Sequence, residues 1–251
     1  MRAATTGLFL LALMASCAGP SGVQAPLDPV VPPPAPPPPP PPPPPAPPPT
    51  YDVDLLGVPK LASRDYLDLG LIEAISRFRS SVGHDYHDAF ETCRNMKHYF
   101  RPRAGTDWAA VSIYAPAAGT IVRLRAETTF GSQVVIRSAA QPAFQFILFH
   151  VTPEVGVDSG VAVLAGQRLG HHVGSQTMSD IAVGVDTPAG YRLLSWFEVI
   201  ADSVFSGYAT RGVASRAAMV ISRAERDGDP LSCVGEAFIG AGSLGNWVAL
   251  P

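Results

Sequence analysis

A chain of 251 residues with a formal net charge of −3 is long enough for one or two domains, and it lacks the basic surplus that nucleic-acid binding needs. Its hydrophobic fraction of 47% is that of a chain with a buried core, but 27 prolines exclude a uniformly globular composition. No Lys/Arg cluster along the chain offsets the acidic balance, so no nucleic-acid partner is expected.

The first seventeen residues read as an export signal. Arg2 supplies a positive start, Gly7 to Met14 an apolar run, and Met14-Ala15-Ser16-Cys17 closes it. The run is shorter than the ~20 residues that span a bilayer, so a membrane helix is the weaker reading. Small residues before a cysteine resemble the bacterial lipobox, which implies lipid attachment at Cys17. Met14 is an unusual first residue for that box, and simple secretory cleavage stays the alternative. Ala18, not Asp, follows the cysteine, so a lipoprotein of this kind is expected on the outer membrane, facing the periplasm. Its contact with the membrane would be through the lipid alone.

Residues 18–50 form a linker dominated by the proline run from Pro26 to Pro49. Without backbone donors and with φ fixed, such a run forms a stiff polyproline II rod. At roughly 3.1 Å per residue it reaches on the order of 70 Å. That suits a spacer holding a domain off a membrane; a ligand for proline-binding modules is the competing reading. Of the three cysteines, Cys17 goes to lipid and leaves Cys93 and Cys233 as a pair. In an oxidising compartment these are disulfide candidates, with two buried free thiols as the other possibility.

The folded part opens with a helical lead-in, 51–82. Leu67, Leu71, Ile75 and Phe78 recur at helical spacing and predict a helix over 65–79, weakened by Gly70. His84, Tyr86 and Asp88 follow in Gly83-His84-Asp85-Tyr86-His87-Asp88; in an extended segment they share one face, bringing an imidazole and a carboxylate together. Such a pair begins a metal site, although two donors alone bind weakly. Ile113 to Val122 reads as strand, tight turn, strand, and Gly131 to Ile136 as a further strand. Phe144–Val151 is apolar on both faces, as a strand buried on both sides would be. In Asp180–Asp186, Ile181, Val183 and Val185 face one way and Asp180, Ala182 and Gly184 the other. Glycines at 156, 160, 166, 170 and 174 mark tight turns between these two strands.

Beyond Gly190 an extension over 191–251 is expected to be helical. Trp196, Val199, Ile200, Val204 and Tyr208 give one helical face, and Val213–Arg226 gives a second helix covering a sheet edge. Asp227 and Asp229 resemble part of a calcium loop, but no Glu follows at the required spacing, so this is a turn.

In order, the H-x-x-x-D of His84 and Asp88, YAPAAGTIV, the strand after Gly131, a strand ending in His150 and V-x-A-G-Q-x-L-G resemble the lysostaphin-like, M23-type metallopeptidase (LytM) domain, here over 83–190. The resemblance implies a mainly β (α+β) fold with an antiparallel β-sandwich core. It also implies a zinc held by the His and Asp of H-x-x-x-D and the second His of a C-terminal H-x-H. The first His of that motif and a middle-strand His assist. Residue by residue, His84 and Asp88 match the first two ligands and His150 the middle-strand histidine. Asp180 and Ala182 stand where H-x-H should be, so the third ligand is missing and zinc is doubtful as a cofactor. Zinc hydrolysis needs three protein ligands and an open fourth position.

Three functions are open on this reading. The first is a degenerate domain in which His150 and Asp180 survive in a groove that binds peptidoglycan or regulates a cell-wall hydrolase without cleaving. The second is an active metal-dependent peptidoglycan endopeptidase with an altered ligand set, using His84, Asp88 and either Asp180 or one of His171 and His172, which are expected on a turn at the rim. The third is a purely structural envelope protein, with His150 a satisfied core histidine. His87 and His98 are expected to be structural or exposed.

Overall fold

A computed structural model describes Gly22, residues 49–128 and residues 130–251. The chain divides into two units, Met1–Pro45 and Ala46–Pro251. The export signal, Cys17 and nearly all of the proline run lie outside the described residues.

The second unit is mainly β. It begins with one helical turn, α1 (Val53–Leu56), capped by the Asp52 carboxylate, which accepts from the backbone N–H groups of Asp54 and Leu55. Ten strands come next: β1 (Ile72–Ser76), β2 (His98–Pro102), β3 (Ser112–Tyr114), β4 (Gly119–Ala126), β5 (Ser132–Ser138), β6 (Phe144–Pro153), β7 (Ala162–Val163), β8 (Arg168–His172), β9 (Ser179–Thr187) and β10 (Gly190–Leu194). The remainder holds α2 (Trp196–Val199), α3 (Asp202–Ala209), α4 (Arg223–Gly228), the hairpin strands β11 (Cys233–Val234) and β12 (Ala237–Phe238), and β13 (Trp247–Ala249).

Among the described residues, eleven strands make one antiparallel network in the order β13-β1-β2-β9-β6-β5-β4-β7, with β10 on β9 and β8 joining β6 to β3. β9 and β6 lie at its centre, and their alternation sorts the apolar residues. Ile181, Val183 and Val185 of β9 join Phe144, Phe146 and Leu148 of β6 in the main core. Ala182 and Ile147 face the other way into a smaller cluster with Phe149, Phe78 and Met96. That second face carries the site.

Three helical expectations are corrected. Residues 65–79 hold only a 3-10 turn, Leu69–Leu71, capped by Asp68, and then β1. β1 lies between β2 and β13, so Ile72, Ala74, Ile75 and Ser76 are all buried and apolar residues fall on both faces. Burial on both sides erases the alternation and lets helical spacing arise by coincidence. In Val213–Arg226 a 3-10 turn, Ala217–Met219, gives way to extended Val220, which bridges to Phe78; α4 starts only where Ser222 and Glu225 form a capping box. The Trp196–Tyr208 face is likewise split, because Ile200 is extended and bridges to Ala62 between α2 and α3. The tail also contributes strand rather than helix: β13 pairs with β1 at the sheet edge.

Cys93 and Cys233 are bonded to each other, with Cα atoms 5.7 Å apart. The bond fixes the β11–β12 hairpin against the segment before β2.

Candidate functional site

A break in the parity of β6 builds the site. Phe144, Phe146 and Leu148 point into the main core, yet so does Val151, so two residues intervene where alternation allows one. Opposite them β5 changes register, with Val134 paired to Leu148 but Ser132 to Val151. Phe149 and His150 thus oppose Gln133 alone, which is a β-bulge, and His150 carries it with a φ of 60°. A non-glycine residue in that region is uncommon and costs of order 1–3 kcal/mol, so neighbours must hold it. Here the neighbour is Gly131, where a side chain would come within 3.0 Å of the His150 backbone. The bulge turns His150 away from the core, onto the face of Phe149.

His150 is clamped between two carboxylates. Glu127, just past β4, lies 3.0 Å from Nδ1 and also accepts the His150 backbone N–H at 2.8 Å. Asp180 lies 3.2 Å from Nε2 and, through its other oxygen, 2.5 Å from Lys97 Nζ. The Lys97 and Asp180 side chains are 1% and 0% exposed. Neither contact to Asp180 has the angles of a hydrogen bond, so both are ion pairs by proximity. Burial lowers the affinity of His150 for its proton, but Asp180 and then Glu127 more than reverse this, and the ring titrates at about 10. Burial would push the Asp180 carboxyl up; Lys97 and then His150 hold it below the ordinary carboxylate range. The result is a row of alternating charge, Lys97, Asp180, His150 and Glu127.

Lys97 is further enclosed by rings. Its Nζ lies 4.2 Å from the Phe149 ring centre and 4.9 Å from those of Tyr86 and Tyr99. The register of β2 on β9 pairs Tyr99 with Asp180 and His98 with Ile181. Lys97 immediately precedes β2, next in that register to Ala182, the methyl group found where the third ligand was expected.

Lys97, Tyr99, Phe149 and His150 floor a cleft of about 800 Å³. Arg125, Glu127 and Phe130 line one side, Trp108 and the 175–178 loop another, and Glu236 of the β11–β12 turn a third. Trp108 donates from Nε1 to the Thr177 carbonyl and packs against His172, with ring centres 4.7 Å apart. His172 is not a rim residue of a turn: it ends β8, is fully buried, and accepts the Gly174 N–H at Nδ1. Burial, with the charge on His150, lowers its pKa to about 4 and keeps it neutral. His98 is a structural histidine, buried between the Ser76 carbonyl and the Ser195 hydroxyl, and burial takes it to about 4 as well.

The structure brings His84 and His150 to this cleft, buries Asp180 beneath them and leaves Asp88 out. The shared face expected for His84 and Asp88 is not formed. Asp88 accepts backbone N–H bonds from Phe90 and Leu193 at 2.9 Å each and lines a separate pocket with Arg192. The segment is irregular rather than a strand, so period-two alternation does not apply to it. Lys97, Tyr99 and Glu127 are the members that sequence reasoning missed. The one signal was Lys97 at i and Tyr99 at i+2, in a run otherwise apolar enough for a buried strand.

A zinc ion of the kind the resemblance implies does not fit the residues present. Ala182 has no donor atom, Asp88 is elsewhere, both ring nitrogens of His150 already face carboxylates, and Asp180 and His84 already face Lys97. Among the described residues, no three His, Cys, Asp or Glu side chains are grouped to hold a metal.

No family model and no curated protein matches the chain. Among solved structures, it is similar to several at low identity. One is a candidate glycyl-glycine endopeptidase, LytM, from Ruminococcus gnavus ATCC 29149 (TM-score 0.35, 12% identity, 43% of this chain and 46% of that one). Another is lysostaphin (TM-score 0.34, 16% identity, 58% and 60%). A third is the SpoIIQ–SpoIIIAH pore-forming complex (TM-score 0.41, 13% identity, 62% and 99%). The chain spans less than half of the LytM protein's length.

Proposed function

We propose that this is a cell-envelope protein, lipid-anchored at Cys17 and carried off the outer membrane by its proline linker, whose cleft binds peptidoglycan peptide without cutting it. The observation that carries this reading is the floor of the cleft. The groups at its base are engaged with one another: Asp180 with Lys97 and His150, His150 with two carboxylates, and one oxygen of Glu127 with the His150 backbone. A general base must be free to accept a proton. What remains accessible is a recognition surface of aromatic faces beside Arg125 and the polar 175–178 loop, suited to an extended polar chain.

The test is co-sedimentation of the purified protein with sacculi, together with assay of the supernatant for released fragments. Wild type should pellet and release nothing. Phe130→Ala and Arg125→Ala, which leave the charged row intact, should weaken binding severalfold. Fragments released in proportion to protein would make the cleft hydrolytic. A protein that stays in solution but pulls down a wall hydrolase would replace the peptide by that partner.

A further inference from the structure

We propose that Lys97 is a tethered cation that holds the place of a metal, and that its ammonium keeps divalent cations out of the cleft. Three features at one point carry this. First, Nζ sits where two metal-type donors converge, 2.5 Å from Asp180 Oδ2 and 3.2 Å from His84 Nε2. Second, His84 is posed as metal-ligating histidines are. Its Nδ1–H donates to the Asp85 carbonyl at 2.9 Å, which leaves the lone pair on Nε2, aimed at Nζ. An imidazole with that tautomer accepts from an ammonium in the same direction in which it would bind an ion. Third, Lys97 reaches this point from the residue just before β2, next in register to Ala182, a position with no donor of its own. One side chain thus supplies the charge that the missing ligand can no longer retain.

The arrangement is self-consistent in charge and space. Without Lys97, Asp180 would be a wholly buried carboxylate with His150 as its remaining charge partner. A covalently attached ammonium neutralises that carboxylate and faces the His84 nitrogen at any metal concentration. It cannot polarise a carbonyl or lower the pKa of a bound water as zinc does. The inference is independent of what the cleft binds, because its test reads metal and not ligand.

The test is zinc stoichiometry by equilibrium dialysis and elemental analysis on the whole protein. Wild type should retain no stoichiometric zinc. Lys97→Ala frees the two donors; shifts of about 1 Å bring them to Zn–N and Zn–O distances, and zinc should bind about a hundredfold tighter than to wild type. Adding Ala182→His supplies a third donor and should tighten binding by about another tenfold. Adding His84→Ala to Lys97→Ala should abolish the gain. Because Lys97→Ala leaves the buried Asp180 with His150 as its one charge partner, near-UV circular dichroism and Tm are followed with zinc present, and zinc should restore or raise both. The proposal is overturned if wild type purifies with one zinc per chain, or if Lys97→Ala neither binds zinc nor regains structure with it.

Discussion

Lys97→Met and Asp180→Asn, singly and together, test whether the charged row is a unit. At 2.5 Å the Lys97–Asp180 attraction is about 7 kcal/mol for an effective dielectric near 20, while desolvating each ion costs several kcal/mol. The pair is therefore close to neutral in net worth, but either half alone is not. Asp180→Asn leaves an ammonium and an imidazolium facing each other across a neutral amide. Lys97→Met leaves Asp180 with His150 as its remaining charge partner and forfeits contacts with three rings. Each single change should cost about 3–5 kcal/mol, a large part of the 5–15 kcal/mol typical of a folded protein. The double change removes both buried charges and should cost about 1–3 kcal/mol, less than either single change would suggest. Equilibrium urea unfolding followed by circular dichroism gives the coupling directly. Costs that simply add, or a single variant losing under about 1 kcal/mol, would refute the claim that these groups act together.

Stability should peak near pH 6.5. Above it His150 keeps in the folded state a proton that the unfolded chain releases, so stability falls up to about pH 10, by at most ~1.4 kcal/mol per pH unit; His150→Gln should flatten that limb of the urea midpoint against pH. Below it His98 and His172, neutral in the fold down to about pH 4, take up protons more readily when unfolded, so stability falls again; a flat profile from pH 5 to 9 would contradict both assignments. Reducing Cys93–Cys233, 140 residues apart, should lower stability by up to about 5 kcal/mol on the chain-entropy estimate and expose the β11–β12 hairpin to protease. Gly119→Ala would put a methyl group 2.1 Å from the Arg137 carbonyl oxygen across β4 and β5, and a loss of about 1–3 kcal/mol in thermal unfolding is expected; an unchanged Tm would show that the turn yields.

The central strands were legible because their patterns are strong. β9 alternates as read, and β6 is apolar on both faces because one face packs in the main core and the other in the smaller cluster. β1 was not legible for a related reason. Being buried on both faces, it offered no alternation, and its leucines and isoleucines fell by chance at helical spacing. Local chemistry also cut the C-terminal helices short. Ser222 and Glu225 start α4 well after Val213, where the apolar pattern placed the start, and a capping box is a sharper start signal than periodicity.

The site was half legible, and the missing half has one cause. Asp180 could be placed because it shares a face with Ala182 on a regular strand. His150 could be named but not aimed. By parity it belongs with Phe144, Phe146 and Leu148 in the core, and only the bulge at φ 60° brings it to Glu127 and Asp180. A bulge is decided by both strands, and neither strand's sequence states it. Lys97 and Glu127 were invisible for the same reason, since their roles exist only where β2 meets β9 and the end of β4 meets β6. A lysine on a strand ordinarily reads as an exposed edge residue. Here its burial is possible because three aromatic rings and one carboxylate, from separate segments of the chain, arrive around it. Charge compensation of this kind is a property of the assembled sheet, so searching a sequence for zinc ligands finds the gap at Ala182 but not the lysine that fills it.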